Sequence, residues 1–166
     1  MTISMYQASI PVFIHNLKNL SAILNKAAAH AQNKKIDESV FITARLAPDM
    51  FPLSRQVQIA CDAVRIGSAR LAEIEFPSHP DVETTFAQLQ ERIAKTIAFL
   101  QEIKPAQIDG KEELKISYVQ REKQNNFVGQ PYLLNYVLPN LYFHVMAAYA
   151  ILRHNGVEIG KRDYLG

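Results

Sequence analysis

The chain is short of several residue types and patterns, and each shortage excludes something. It has one cysteine, no tryptophan and only six glycines in 166 residues. A lone cysteine forms no internal disulfide, and Cys61 lies among Val57, Ala60 and Val64, so it reads as a small core residue of a protein kept in a reducing compartment. Long runs of one charge are also missing: eighteen Lys and Arg against sixteen Asp and Glu give a net charge of +2, with the basic residues scattered. A nucleic-acid surface needs clustered positive charge, so no such partner is expected. HExxH, CxxC, GxSxG, P-loop and GxGxxG patterns are absent, which removes the commonest motif-borne chemistries. The opening MTISMYQASIPVFIHNLKNL has neither the charged start nor the continuous apolar stretch of a secretory signal, and the expected location is the cytoplasm.

What is present is helical periodicity in a length that suits one domain over residues 1–166. Phe13, Leu17, Leu20, Leu24 and Ala27 recur at three- and four-residue spacing, with Pro11 expected to kink or delay the start of that helix. After the break NKKID, Asp37 can cap a short helix through Val40, Phe41 and Ala44. The corner ARLAPDMFP follows, with Asp49 placed to cap a second long helix from about Met50 to Ile74 whose inner face carries Leu53, Val57, Ala60, Val64 and Leu71. A third begins near Asp81, with the stripe Val82, Phe86, Leu89, Ile93, Ile97 and Leu100, and stops at Lys104 and Pro105. LKISYV then alternates apolar and polar residues, REKQNN separates it from NFV, and the pattern predicts a small hairpin.

Gly129 and Pro131 launch the last long helix, whose stretch Tyr132 to Leu152 is apolar on nearly every side. Its interior Pro139 removes a donor and frees the carbonyl of Asn135, so a kink is expected before Asn140. Pro139, Asn140 and His144 near its middle argue against a membrane span. Four long helices with one insertion predict an all-α fold: a four-helix bundle with a short helix after the first and a small β-hairpin before the last, Pro-kinked helix.

Polar side chains on a helix buried on all faces must find partners there. Asn140 and His144, four residues apart, share one face of that helix. They suit either a small-molecule or metal site in the bundle interior or a hydrogen-bond network that serves packing alone. Gln56 is the expected neighbour of His144, beside Ala63 and Gly67, where small residues leave room; a rotation of the helix would exchange it for Gln58. Asp49 reads as a helix cap, and would orient a pocket histidine if the corner folds over the bundle mouth. Gln58, Asp62 and Arg65 read as a solvated charged face. Tyr132, Tyr136, Tyr142 and Tyr149 on the last helix suit core or interface more than a pocket lining. The tail GVEIGKRDYLG is expected to dock on the bundle, to meet a second subunit, or to fray.

These features carry a resemblance. The order of four long helices, the bent last helix and its histidine-bearing face look like the DinB/YfiT-like superfamily. ARLAPDMFPLSRQVQIACDA, LPNLYFHVMAAYAILRHNGV and GKRDYLG closely resemble a bacterial family of this length whose function is unknown. The resemblance implies a cleft and, in many DinB-like proteins, a divalent metal, often nickel or zinc, held by one histidine of the second helix and two on the last. Here the last-helix pair is Asn140 and His144, and Gln56 or Gln58 takes the second-helix place. Amides bind such metals poorly beside imidazole, so a tight site needs a further ligand such as Asp49; a divalent nickel or zinc cofactor stays open, with His144 its ligand if one is bound. Three functions stay open: a small-ligand cleft on an altered metal face, a metal-dependent transferase or hydrolase acting with a thiol cofactor, and a non-catalytic stress-related homodimer.

Overall fold

In a computed structural model describing residues 2–120 and 122–166, the chain folds in the order α1 (Ile10–Lys34), α2 (Glu38–Ile42), α3 (Leu53–Ala72), α4 (Phe86–Glu102), α5 (Pro105–Ile108), β1 (Lys115–Gln120), β2 (Lys123–Val128), α6 (Gly129–Tyr132), a π-helical stretch Leu133–Val137, α7 (Leu138–His154) and α8 (Lys161–Leu165). The long helices are those the periodicity predicts. Helix α3 packs on α4 and α7, and α1 packs on the same two, so the four close around one core. Phe13, Leu17, Leu20 and Leu24 of α1 meet Leu53, Val57, Val64 and Leu71 of α3 there, fully buried. Among the described residues no helix is long and apolar enough to cross a membrane.

Local chemistry explains most boundaries. Pro11 falls in the first turn of α1, where its missing N–H is not needed, so it neither kinks nor delays that helix. Asp37 caps α2 by accepting from the Ser39 amide at 2.8 Å. The helix ends at Ile42, short of Ala44; of the residues expected along it Phe41 is buried, with Ile42, while Val40 is 53% exposed. At the corner, Pro52 holds the N-cap position of α3, and Asp49 is exposed three residues before it, so the expected Asp49 cap is not made. β1 ends at Gln120 and β2 begins at its partner Lys123, and Glu122 between them has φ 64, a positive value of the kind tight hairpin turns use. Lys123 to Asn126, expected in the connection, instead pair with the first strand, where Ile116 faces Phe127. Their polarity hid a strand that is exposed along most of its length.

The third helix starts at Phe86, five residues later than expected, and Val82 is 69% exposed. Buried charge holds residues 81–85 out of the helix. Arg92, on α4, bonds Asp62 of α3 at 2.9 Å, Asp81 at 3.1 Å and Glu83 at 2.9 Å, while Arg65 bonds Asp62 at 2.7 Å and the Pro77 carbonyl. Gln58 donates to Glu83 at 2.9 Å, and Arg55 pairs with Asp81. The face expected to be solvated is therefore a lattice beneath the 73–85 loop in which Gln58, Arg65 and Arg92 are buried. Burial tends to raise the Glu83 carboxyl, but the Arg92 bond and charge, a backbone bond and the Gln58 bond together outweigh this and hold it below the usual range.

Pro139 is accommodated by a change of helix type. The chain winds into a π-helix over Leu133–Val137, where the Leu138 amide bonds back five residues to the Leu133 carbonyl. Val137, at the end of that stretch, meets α3 at Gly67. A Cβ on Gly67 would stand 2.8 Å from both γ-carbons of Val137. At the start of the last helix Gly129 is equally required, since a Cβ there would strike the Lys111 carbonyl, while its amide donates to Leu114 at 2.9 Å. The tail docks on its own bundle: Asn19 donates to the Tyr164 carbonyl at 3.1 Å, His15 bonds the Leu165 carbonyl at 2.7 Å, and Lys26 pairs with Asp163 at 2.6 Å.

Two outcomes test this packing. Gly67→Ala should lower stability by about 1 kcal/mol, because overpacking costs about 1–3 kcal/mol against a helix-propensity gain of about 1 kcal/mol. In a Val137→Ala background only the propensity gain remains, and urea denaturation should show the same substitution as stabilising. Arg92→Ala should cost about 3–5 kcal/mol by stripping the mostly buried Glu83 of its arginine partner and leaving Asp62 with Arg65 alone; a thermal melt nearly unchanged from wild type would mean the network is not holding the loop.

Candidate functional site

His144 projects from α7 toward α3, and its Nδ1 lies 2.6 Å from Gln56 Oε1. The direction of this bond follows from the amide's other end. Gln56 Nε2 donates to the Phe51 carbonyl at 3.0 Å, so Oε1 must accept, and the imidazole proton sits on Nδ1. Gln56 is 1% exposed and His144 8% exposed. Burial, aided by the positive charge of Arg55, pushes His144 down to about 4, so the ring is neutral at physiological pH. The pairing of Gln56 with His144 is the one expected from the apolar stripe, and Gln58 belongs instead to the charged lattice.

Asn140, one turn earlier, faces a cleft of about 540 Å³ between α3, the last helix and the hairpin. One side is a single stripe of α3 formed by Arg55, Ile59, Asp62, Ala63, Ile66 and Arg70. Opposite stand Tyr132, Tyr136 and Asn140, each a turn apart on the last helix. Gln120, Lys123 and Asn125 of the hairpin close one end, and Phe51, whose carbonyl anchors Gln56, closes another. His144, Gln56 and Asp49 do not line it. The Gln56–His144 pair is tied to the cleft through Phe51 and Asn140, while Asp49 lies exposed in the corner.

Sequence reasoning missed Arg70, Lys123 and the tyrosine wall as site residues. Arg70 stands 3.3 Å from the Tyr118 ring centroid and donates to the Tyr132 hydroxyl at 3.1 Å. Burial lifts the Tyr118 hydroxyl up to about 12 and also raises Tyr132, so both rings stay neutral beside the guanidinium. Tyr132 stacks on Tyr136 with centroids 5.5 Å apart and planes 16° from parallel. The aromatic spacing was visible in the sequence; the contribution of a β-hairpin to the same cluster was not.

The donor set does not fit a nickel or zinc ion. Among the described residues no three His, Cys, Asp or Glu side chains stand together as metal ligands. His144 is one imidazole beside two amides, and both amide atoms of Gln56 are committed, one to Phe51 and one to His144 itself. Other reactive types lie elsewhere: Cys61 is fully buried, with its thiol pushed up to about 12 by that burial, and His15 holds the tail.

The family described as a domain of unknown function, DUF1993, matches residues 5–165. The crystal structure of a DinB family member protein from Shewanella denitrificans is 44% identical, with a TM-score of 0.89, and the match covers 97% of this chain and 91% of that one. No curated protein matches.

The lowered His144 pKa sets the sign of a pH dependence. Above about pH 6.5 the ring is neutral whether the chain is folded or not, and stability is insensitive to it. Between that pH and about 4 the unfolded chain takes up a proton that the folded one refuses, so stability falls as pH falls. His79, lowered by its own burial, acts in the same direction. His144→Gln keeps a donor for Gln56 but cannot titrate. Denaturant midpoints should therefore drop less in the variant than in wild type between about pH 7 and about pH 5; equal drops would show that His144 is not held neutral.

Proposed function

The chain belongs to the DUF1993 family and has a DinB-type fold, and from that premise we propose that it binds a small ligand in the cleft between α3, the last helix and the hairpin without using a metal. One observation carries the reading: a cleft of about 540 Å³, a usual size for small-molecule sites, with polar groups converging on an apolar floor. Asn140, which the sequence singles out, faces into it and makes no side-chain hydrogen bond with the described residues. The Gln56–His144 pair occupies the face where DinB-like relatives are expected to hold metal, and it serves as a neutral brace between the two helices that form the cleft.

Phenol, a small neutral probe, tests this without assuming a charge preference. Titration followed by amide NMR shifts should move Ala63, Ile66 and Asn140, and Ala63→Trp, which fills the floor, should abolish the effect while the protein stays folded. Metal analysis of untagged protein completes the test. Stoichiometric nickel or zinc that survives dialysis and is lost in His144→Ala would overturn the metal-free reading, and phenol shifts scattered away from the cleft would overturn the ligand site.

A further inference from the structure

We propose that the ligand of this cleft is a small aromatic carboxylate, with its carboxylate on Arg70 and its ring between the α3 floor and the tyrosine wall. The inference rests on the cleft being a ligand site and adds the chemical class of what it takes.

The arginines nearby divide into two kinds. Arg55, Arg65 and Arg92 each pair with a carboxylate. Arg70 pairs with none among the described residues, although it lines the same cleft. Its contacts are instead with the Tyr118 ring and the Tyr132 hydroxyl. Stacking occupies a face of the guanidinium, and the single bond to Tyr132 occupies one of its five N–H groups, so donors remain for an incoming anion. A planar fork fixed in this way suits a carboxylate bound through two parallel bonds. Side-chain freedom is already restricted before the ligand arrives, which reduces the entropic cost of binding.

The surrounding charge favours an anion. Lys123, at the hairpin end, has no carboxylate partner among the described residues. Among the described residues the one acid in the lining, Asp62, is held by Arg65 at 2.7 Å and Arg92 at 2.9 Å, so its charge is compensated from beneath. The remaining surfaces ask for a flat apolar body. Ile59, Ala63 and Ile66 form an aliphatic floor, and the half-buried Tyr136 ring, backed by the buried Tyr132 stacked against it, presents an aromatic wall. A ring attached to the carboxylate can lie along both, with Asn140 available at the far end for a polar substituent.

Benzoate and phenol are the probes, since they share the ring and differ in the charged head. Calorimetric or NMR titration at low ionic strength should show benzoate binding about tenfold or more tightly than phenol, a preference that shrinks as salt is added. Arg70→Gln should remove that preference while phenol binding persists, which also reports that the cleft is intact. Exposed Lys123→Gln, which cannot disturb the core, should weaken benzoate by about threefold and leave phenol unchanged. Benzoate no tighter than phenol, or a preference untouched by Arg70→Gln, overturns the assignment and leaves the more general ligand site standing. Inorganic phosphate binding as tightly as benzoate also overturns it, because the aromatic wall would then contribute nothing. Failure of phenol and benzoate alike removes both readings together.

Discussion

The close approach of α3 to the last helix at Gly67 and Val137 is the constraint on which the site depends. With no Cβ on one side and a branched side chain on the other, the two backbones come together at this one level. On either side of it the helices carry larger residues. Arg70 and Tyr132 lie at one end, and Arg55 and Asn140 at the other, and the cleft opens along that seam. The π-helical stretch belongs to the same constraint. It ends on Val137, two residues before Pro139, so the turn that makes the helix irregular is also the turn that makes the contact.

A second constraint is how charge is distributed around α3. Its outward-reading Gln58 and Arg65 are buried, and with Asp62 and Arg55 they meet Arg92 of α4 and the 73–85 loop. Burying this many charges is tolerable because each carboxylate has a cation and the bonds are short. The arrangement is not complete, since the Nε atoms of Arg65 and Arg92 are buried without a protein partner among the described residues. The consequence for the cleft is selective. The network compensates Asp62 and engages Arg55, which leaves Arg70 as the cation on this helix whose partners are only aromatic.

Much of this was legible in the sequence where one element's own period carries the information. The apolar stripes place the long helices, Asp37 announces a cap, and the polar interruption at Asn140 and His144 on an otherwise apolar helix marks the buried face. Even the Gln56 partner follows from the small residues flanking it on its own helix. The failures share a cause. Val82 continues an apolar stripe, yet it is exposed because Asp81 and Glu83 answer to Arg55 of α3 and to Arg92 further along α4 itself. Asp49 has the side chain of a cap, but Pro52 sets the helix start three residues later. Lys123 to Asn126 look like a connection because a two-stranded hairpin exposes most of one strand, and exposure erases the alternation on which strand reading relies.

By itself, then, the sequence determined the helical architecture, the hairpin's approximate place and the residues from which a site would be drawn, because those follow from periodicities and preferences local to each segment. Which residues meet was decided only in three dimensions. Arg70, Tyr118 and Tyr132 are tens of positions apart, and nothing in the spacing of any one element foretells a guanidinium laid on a hairpin tyrosine and bonded to a helical one. Charge complementarity and close packing act across space, so whether an arginine is neutralised or left open to a ligand depends on neighbours that the chain brings together only on folding.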